Sequence, residues 1–149
     1  MISHRLAGVL LFSLASIVGC NSSTVMEVMD YERLVDGLRE AGATVEEAGE
    51  TELPGAGTPI FSVTSKITSV NEENIWMLEF SDEATAKAEA KFVSPDGFNL
   101  SGPGIGVHVD WIAPPHWYNK GRIIVLYVGR NQATIDLLEN LLGEQFAGG

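Results

Sequence analysis

The chain has 149 residues, a single cysteine and a formal net charge of −11 at pH 7. One cysteine excludes an internal disulfide, and the excess of acidic residues disfavours binding to nucleic acid or to anionic lipid through overall charge. The length is enough for one domain whose apolar core needs neither a disulfide nor a metal to fold.

Residues 1–19 have the layout of a secretory signal peptide. His4 and Arg5 stand before an apolar run, and small residues are found towards the end of that run. The run is too short to cross a hydrocarbon core, which needs about 20 apolar residues. We therefore predict that the chain is exported and that residues 1–19 are cleaved off.

The segment Ile17-Val18-Gly19-Cys20 resembles a bacterial lipobox. The resemblance implies that Cys20 becomes the first residue of a lipoprotein and carries a thioether-linked diacylglycerol. Two or three acyl chains, such as palmitate, at about 0.8 kcal/mol per buried methylene, would hold it on the cell membrane or the outer membrane. The alternative is an ordinary cysteine behind a signal peptide that is uncleaved or cleaved conventionally.

Residues 20–29 indicate a lipidated cysteine and a polar tether, and residues 30–149 a single domain. The mature part carries eight basic and twenty acidic residues, a net charge of −12. The domain is expected to begin with a helix over residues 31–41, with Asp30 as N-cap and Gly42 at its end.

After the helix, residues 43–46 predict the start of a short strand. The acidic residues that follow predict a solvated loop, because they lack the alternating Asp/Asn pattern and central glycine of a calcium loop: Glu46, Glu47, Glu50 and Glu52. Residues 53–59 are rich in Gly and Pro and indicate a second loop.

A β-hairpin is predicted over residues 60–80, with a turn at residues 71–74. Alternation in its first strand places three apolar side chains inward, Phe61, Val63 and Ile67, and four polar ones outward, Ser62, Thr64, Lys66 and Thr68. In its second strand Trp76, Leu78 and Phe80 share a face.

A helix is predicted over residues 82–93, capped by Ser81, with Ala84, Ala88 and Phe92 on its buried stripe. The glycines of residues 101–106 lack the GxGxxG spacing of a phosphate-binding loop, and a proline interrupts them. A strand over residues 107–112 should direct Val107, Val109 and Trp111 inward, until Pro114 and Pro115 interrupt it.

The strand over residues 122–129 is apolar on both faces, which predicts a central position in a sheet. The last helix should begin after Asn131 and end at Gly143, with Phe146 folding back onto the domain. Its core stripe is expected to hold four side chains, Ile135, Leu138, Leu141 and Leu142.

This order of elements predicts an α+β two-layer sandwich, with a mostly antiparallel sheet of about four to six strands and helices packed on one face.

Four residues near the Pro114-Pro115 break form an aromatic cluster, Trp111, His116, Trp117 and Tyr118. Such a cluster can recognise a peptide, a sugar face or another protein. The alternative is that Trp111 and one neighbour are core, with His116 and Tyr118 hydrogen-bonded at the rim.

His108, Asp110 and His116 form a minimal candidate set for a transition metal. Their spacing matches no metal-site signature, and outward positions on a strand explain His108 and Asp110 without a ligand. No motif for nucleophilic catalysis is present. We expect no cofactor and no enzymatic activity.

Several segments together resemble a family of short uncharacterised bacterial lipoproteins: residues 42–45, 94–97, 114–118, 121–129 and 143–148. The most specific are the Pro-His-Trp-Tyr segment and the Gln-Phe-Ala-Gly ending. The resemblance implies a lipoprotein and implies no activity, ligand or functional residue.

The leading hypothesis is a membrane-anchored binding or protein-interaction domain of the cell envelope, whose partner is an envelope protein or a small ligand. It would use the aromatic cluster or an exposed sheet face. The alternatives are a structural or inhibitory lipoprotein that acts through its acidic surface, and a small metal-dependent or hydrolytic enzyme.

Overall fold

A computed structural model describes residues 27–54, 57 and 59–149. It contains the following elements in chain order: α1 Tyr31–Glu40, β1 Val45–Thr51, β2 Ser65–Val70, β3 Glu73–Glu79, α2 Glu83–Ala90, β4 Asn99–Gly102, β5 Ile105–His108, β6 Pro115–Lys120, β7 Ile123–Val128, α3 Gln132–Leu142 and β8 Ala147–Gly148.

Six strands form one antiparallel sheet in the order β1-β2-β3-β7-β6-β8, and β4 and β5 form a separate hairpin. β7 lies inside the sheet between β3 and β6, and residues 123–127 are all buried. Its predicted central position is therefore confirmed. A strand that is covered on both faces needs apolar side chains at every position, which is the pattern of residues 123–126.

The two faces of the large sheet carry separate parts of the core. α1 and α3 pack on one face, where Leu34, Leu38 and Leu138 meet Val125. On the other face Leu126 packs with Ala86 of α2 and with residues of the β4–β5 hairpin. The predicted α+β class and antiparallel sheet are confirmed, with two helices sharing one face and α2 on the opposite one.

The helix caps agree with the predictions for the first and last helices. Asp30 accepts a hydrogen bond from the backbone N–H of Arg33 at 2.9 Å, and Asn131 accepts one from Ala133 at 3.1 Å. Gly42 and Gly143 follow the helices with φ of 89° and 91°, a conformation that glycine adopts without steric cost.

The acidic loop predicted after α1 is instead a strand. β1 includes Glu46, Glu47 and Glu50, and a β-bulge interrupts its pairing with β2 between Glu47 and Gly49. The prediction was wrong because the strand lies at the edge of the sheet, where charged side chains are tolerated and the alternation of apolar residues is lost.

The first strand of the predicted hairpin is shorter than expected and faces the other way. β2 begins at Ser65, and Thr68 is fully buried, although it was predicted to face solvent. The Thr68 hydroxyl lies 3.4 Å from the Tyr31 hydroxyl and 3.8 Å from the Met77 sulfur, so the core satisfies its polar group.

The second helix also differs in its cap and buried face. Its N-cap is Asp82, which accepts from the backbone N–H of Thr85 at 2.8 Å. Ala84 and Ala88 are exposed, whereas Ala86 and Glu89 are buried. Alternating alanines on this helix give almost no helical amphipathicity, so periodicity could not fix the buried face.

Towards the C-terminus two predictions have mixed outcomes. Val107, Val109 and Trp111 are half-buried, as expected from alternation, but β5 ends at His108. Phe146 does not fold back into the core and remains 37% exposed. The next residue, Ala147, enters the core instead because β8 pairs with β6 there.

Candidate functional site

A groove between α1 and the β1–β2 edge of the sheet has room for a ligand. Its floor is the ring of Tyr31, which is 7% exposed, and the Lys66 ammonium lies 4.0 Å from the ring centroid. The Tyr31 hydroxyl is 3.3 Å from a carboxylate oxygen of Glu47. These contacts hold the helix, the edge strand and β2 around one aromatic ring.

The groove encloses about 430 Å³. Eight residues line it: Tyr31, Glu32, Val35, Asp36, Arg39, Val45, Glu47 and Lys66. A smaller hollow of about 100 Å³ shares Tyr31, Glu47 and Lys66 and continues to Gly49, Glu50 and Ile67. The two spaces share these three lining residues and lie beside β1, and we call them together the β1 groove.

The β1 groove has more acidic than basic side chains. Glu32, Asp36, Glu47 and Glu50 line it, together with the cations Arg39 and Lys66. Each cation has an acidic neighbour, because Arg39 lies 3.9 Å from Asp36 and Lys66 lies 3.9 Å from Glu79. The groove therefore favours a positively charged ligand.

β1 is an edge strand of the six-stranded sheet. Among the described residues its one strand neighbour is β2. Residues 46–50 of β1 are all exposed. An edge strand directs the N–H and C=O groups of about every second residue away from the sheet, where another chain can pair with them.

The sequence did not single out the β1 groove. The signals available were the amphipathic helix that supplies Tyr31 and the glutamates that follow it, and these glutamates were assigned to a loop. The missing information was the pairing of β1 with β2, which is a contact between residues distant in sequence.

The predicted aromatic cluster lies mainly in the core. His116 is 6% exposed, and Trp117 and Tyr118 are fully buried. They alternate across β6, so that Trp117 packs on one face of the sheet and Tyr118 on the other. The prediction of a recognition surface is wrong for these three residues, because large aromatic side chains of an interior strand supply burial.

Trp111 and Trp117 meet on the same face. Their ring centroids are 6.2 Å apart, and both indole N–H groups donate to the carbonyl of Gly97, at 3.0 Å and 3.3 Å. Trp111 is half-buried, so it covers Trp117 and holds the loop before β4. Its role in the structure is packing at the edge of the core.

His116 is held by two oxygen atoms. Its Nδ1 lies 2.8 Å from Oε1 of Gln145 and its Nε2 lies 3.1 Å from the carbonyl of Gly129. The ring also stacks on Tyr127, with centroids 5.8 Å apart. Both ring nitrogens are therefore engaged within the protein, and the residue joins β6 to the C-terminal segment.

Tyr118 is buried without a hydrogen-bond partner for its hydroxyl among the described residues. Burial raises the pKa of Tyr118 to about 12, and the negative charges of Glu139 and Asp136 act in the same direction. A phenol in this setting stays neutral, and its ring is part of the core between the sheet and α3.

The structure does not bring the candidate metal set together. His108 is exposed, with Nε2 at 3.3 Å from Asp110 and Nδ1 at 3.0 Å from Asn99. His116 is buried, with both nitrogens engaged elsewhere. Across residues 27–54, 57 and 59–149 no three His, Cys, Asp or Glu side chains are grouped to hold a metal ion.

One partly buried polar network was missed from the sequence. The Glu73 carboxylate accepts hydrogen bonds from Tyr127 at 2.9 Å, from Asn131 at 3.1 Å and from Thr134. Burial raises the pKa of Tyr127, and the Glu73 carboxylate adds to that shift. The network fastens the start of α3 to β3 and β7.

The start of the domain is fixed by a second polar network. The Met29 carbonyl accepts from the Arg122 backbone N–H at 3.0 Å. The Arg122 guanidinium lies 3.0 Å from Glu79 and 3.8 Å from Asp30. The segment just before α1, predicted to be the end of the tether, is thus held at the β6–β7 turn.

Cys20 and residues 1–19 lie outside the described residues. Within the described part of the chain, no helix is long and apolar enough to cross a membrane. No protein-family model, curated protein or solved structure matches this chain. The lipobox and the resemblance to a lipoprotein family stay predictions from the sequence.

Proposed function

We propose that the protein is a membrane-anchored cell-envelope lipoprotein whose domain binds an extended, basic segment of a partner protein in the β1 groove. The observation that carries the proposal is the position of this acidic groove beside an exposed edge strand. An extended peptide can add to such an edge through its main chain while its side chains enter the adjacent groove.

The groove offers the contacts that such a segment needs. Alternate side chains of an added strand point to the same face, so they would meet the α1 side of β1, where Glu47 and Glu50 pair with Thr68 and Lys66 of β2. Lysine or arginine at those positions would approach these carboxylates and those of Glu32 and Asp36. Opposite charges across a strand pair contribute roughly 0.2–1 kcal/mol each.

The same charges disfavour pairing of β1 with a second copy of itself. Two β1 edges would bring Glu46, Glu47 and Glu50 of each chain together, and like charges directly opposite each other destabilise a strand pair. Charge thus selects a basic partner and opposes self-association.

The predicted lipid anchor would determine where in the cell the domain acts. Lipidation of Cys20 would tie the domain to a membrane through residues 21–26, since residues from Glu27 onward already contact the folded part. Six fully extended residues span at most about 20 Å. The domain would therefore work close to the membrane surface and meet partners of the envelope.

The proposal is tested with the lipidated protein in envelope membranes. Partner capture is compared between the wild type, a Glu47→Lys/Glu50→Lys variant and a control variant, Glu139→Lys/Glu144→Lys, with the same charge change on exposed residues away from β1. We expect the first variant to lose capture by roughly tenfold or more, because two attractive charges become repulsive. Equal capture by both variants would contradict the β1 groove as the binding site.

Hydrogen exchange distinguishes strand addition at β1 from the alternative, a structural or inhibitory lipoprotein that acts only through its acidic surface. Strand addition should slow exchange of backbone amides in β1 when the partner binds, whereas contact through side chains alone would leave it unchanged.

A further inference from the structure

A second surface feature lies at the other edge of the sheet, where α2 ends beside β6. A shallow hollow of about 310 Å³ is lined by Lys87, Ala90, Lys91, Val93, Pro95 and Phe146, with Asn119 at its side. We call it the Phe146 patch. Phe146 is one of the few large apolar side chains that the described part of the chain exposes, at 37%.

The patch combines apolar surface with positive charge. Lys87 forms an ion pair with Glu83 at 2.6 Å, so most of the positive charge comes from Lys91, which is exposed at the C-cap of α2. Only eight basic residues are present in a mature chain with twenty acidic ones. Lysines around an exposed aromatic ring are typical of surfaces that rest at a lipid headgroup layer.

The patch lies near the point where the predicted tether joins the domain. Asn119 is two residues before Gly121, whose backbone is in close contact with Val28 and Met29. Two residues of a strand span about 7 Å. A tether that pulls residue 28 towards a membrane therefore keeps this part of the domain near it, as it does Tyr31, so charge decides which edge of the sheet faces the membrane.

The acidic edge of the sheet lies on the far side. β1 and the β6–β8 pair are at opposite ends of the strand order β1-β2-β3-β7-β6-β8. At about 4.8 Å per strand, the two edges are about 24 Å apart. An anionic membrane would attract the Phe146 patch and repel Glu46, Glu47 and Glu50, so both effects turn the domain in the same direction.

We propose that the Phe146 patch rests on the anionic surface of the membrane and orients the tethered domain with the β1 groove facing away from it. This inference rests on the proposed lipid anchor. The contact is weak by itself, because the chain is acidic as a whole, and the anchor makes it effective by keeping the patch beside the membrane. The orientation leaves the β1 groove open to a partner.

The test uses the full lipidated protein in vesicles that contain anionic lipid and a headgroup nitroxide quencher. Acylation consumes the thiol of Cys20, so a fluorophore can be attached to a single new cysteine. One protein carries it in the patch, Pro95→Cys, and the other on the opposite edge of the sheet, Ala48→Cys; both positions are exposed. Flotation with the vesicles shows that the anchor is present.

We expect strong quenching at position 95 and little at position 48. Lys91→Glu should reduce the quenched fraction at position 95 roughly fivefold or more, because one lysine near an anionic surface contributes a factor of about five. Arg130→Glu, the same charge change on an exposed residue between β7 and α3, should leave the quenched fraction unchanged. High salt and vesicles of neutral lipid should both reduce the quenching.

Equal quenching at positions 48 and 95 in floating vesicles would overturn the orientation and leave the anchor intact. Loss of flotation would overturn both the anchor and the orientation. Partner capture through the β1 groove is measured separately, so failure of that function is recognised independently of either result.

Discussion

Tyr31 and Tyr118 lie in the same core beneath α1 and α3 but in different polar surroundings. The Tyr31 hydroxyl is within hydrogen-bond distance of Glu47 and Thr68. The Tyr118 hydroxyl has no partner among the described residues. A buried polar group without a hydrogen bond lowers stability, whereas a bonded one is close to neutral or favourable. Tyr31 therefore contributes both its ring and its hydroxyl to the folded structure, whereas Tyr118 contributes only its ring.

Tyr118→Phe is expected to raise the free energy of unfolding by about 1 kcal/mol, because it removes a desolvated hydroxyl and keeps the ring. The measurement is urea unfolding at neutral pH. A loss of more than about 1 kcal/mol would show that the hydroxyl has a partner after all.

The same variant should also change how the free energy of unfolding depends on pH above about pH 10. The pKa of Tyr118 is raised to about 12 in the folded protein, above the ordinary value of about 10. The stability that depends on the neutral phenol is fully present below about pH 10. It is lost as the pH rises towards 12, because the Tyr118 phenol ionises at lower pH in the unfolded chain than in the folded protein. Stability of the wild type should therefore fall more steeply over this interval than that of Tyr118→Phe.

At the scale of elements, the N-terminus of α1 connects the helix to the β6–β7 turn. Its N-cap, Asp30, accepts from the Arg33 backbone, forms an ion pair with the Arg33 guanidinium and lies 3.8 Å from Arg122. Asp30 thus lies where the predicted tether meets the helix, and its carboxylate both caps the helix and faces the β6–β7 turn. The floor of the β1 groove, Tyr31, is the next residue.

Asp30→Ala is expected to lower the free energy of unfolding by about 1–2 kcal/mol, as for loss of a helix N-cap. Asp36→Ala, on the exposed face of the same helix, should change it by less than about 0.5 kcal/mol. Thermal or urea unfolding of the two variants gives the comparison. Equal effects would mean that the cap does not stabilise the helix in this context.

Elements with a strong local signal could be predicted from the sequence. The α1 cap and stripe, the β2–β3 turn and the apolar run of β7 each specify their own conformation. β1 could not be predicted, because Glu46, Glu47 and Glu50 are stabilised as a strand only by pairing with β2. The buried face of α2 and the burial of Thr68 depend in the same way on contacts made elsewhere.

The candidate sites also divide into those with a local sequence signal and those that depend on contacts between distant residues. The aromatic cluster was visible in the sequence, but His116, Trp117 and Tyr118 alternate between the two faces of an interior strand and are buried. The β1 groove was not visible, since it arises where a helix and an edge strand meet. Surface sites formed between elements need the tertiary arrangement to be seen.

For the whole molecule, the distribution of charge and the predicted lipid anchor favour the same orientation of the domain at a membrane. The acidic β1 edge and the Phe146 patch lie at opposite edges of one sheet. The segment before α1 is fixed at the β6–β7 turn. With the predicted lipid on Cys20, the domain would stand beside a membrane and present the β1 groove to extended basic segments of other envelope proteins.

The most direct test of this account is photo-crosslinking from β1 in native envelope membranes. A crosslinking amino acid replaces Ala48 in the lipidated protein, and a second protein carries it at Glu144 as a control. We expect a defined crosslinked partner from position 48, mapped to an extended basic segment and weakened by high salt. No partner from position 48, or the same partner with equal yield from position 144, would contradict binding at the β1 groove.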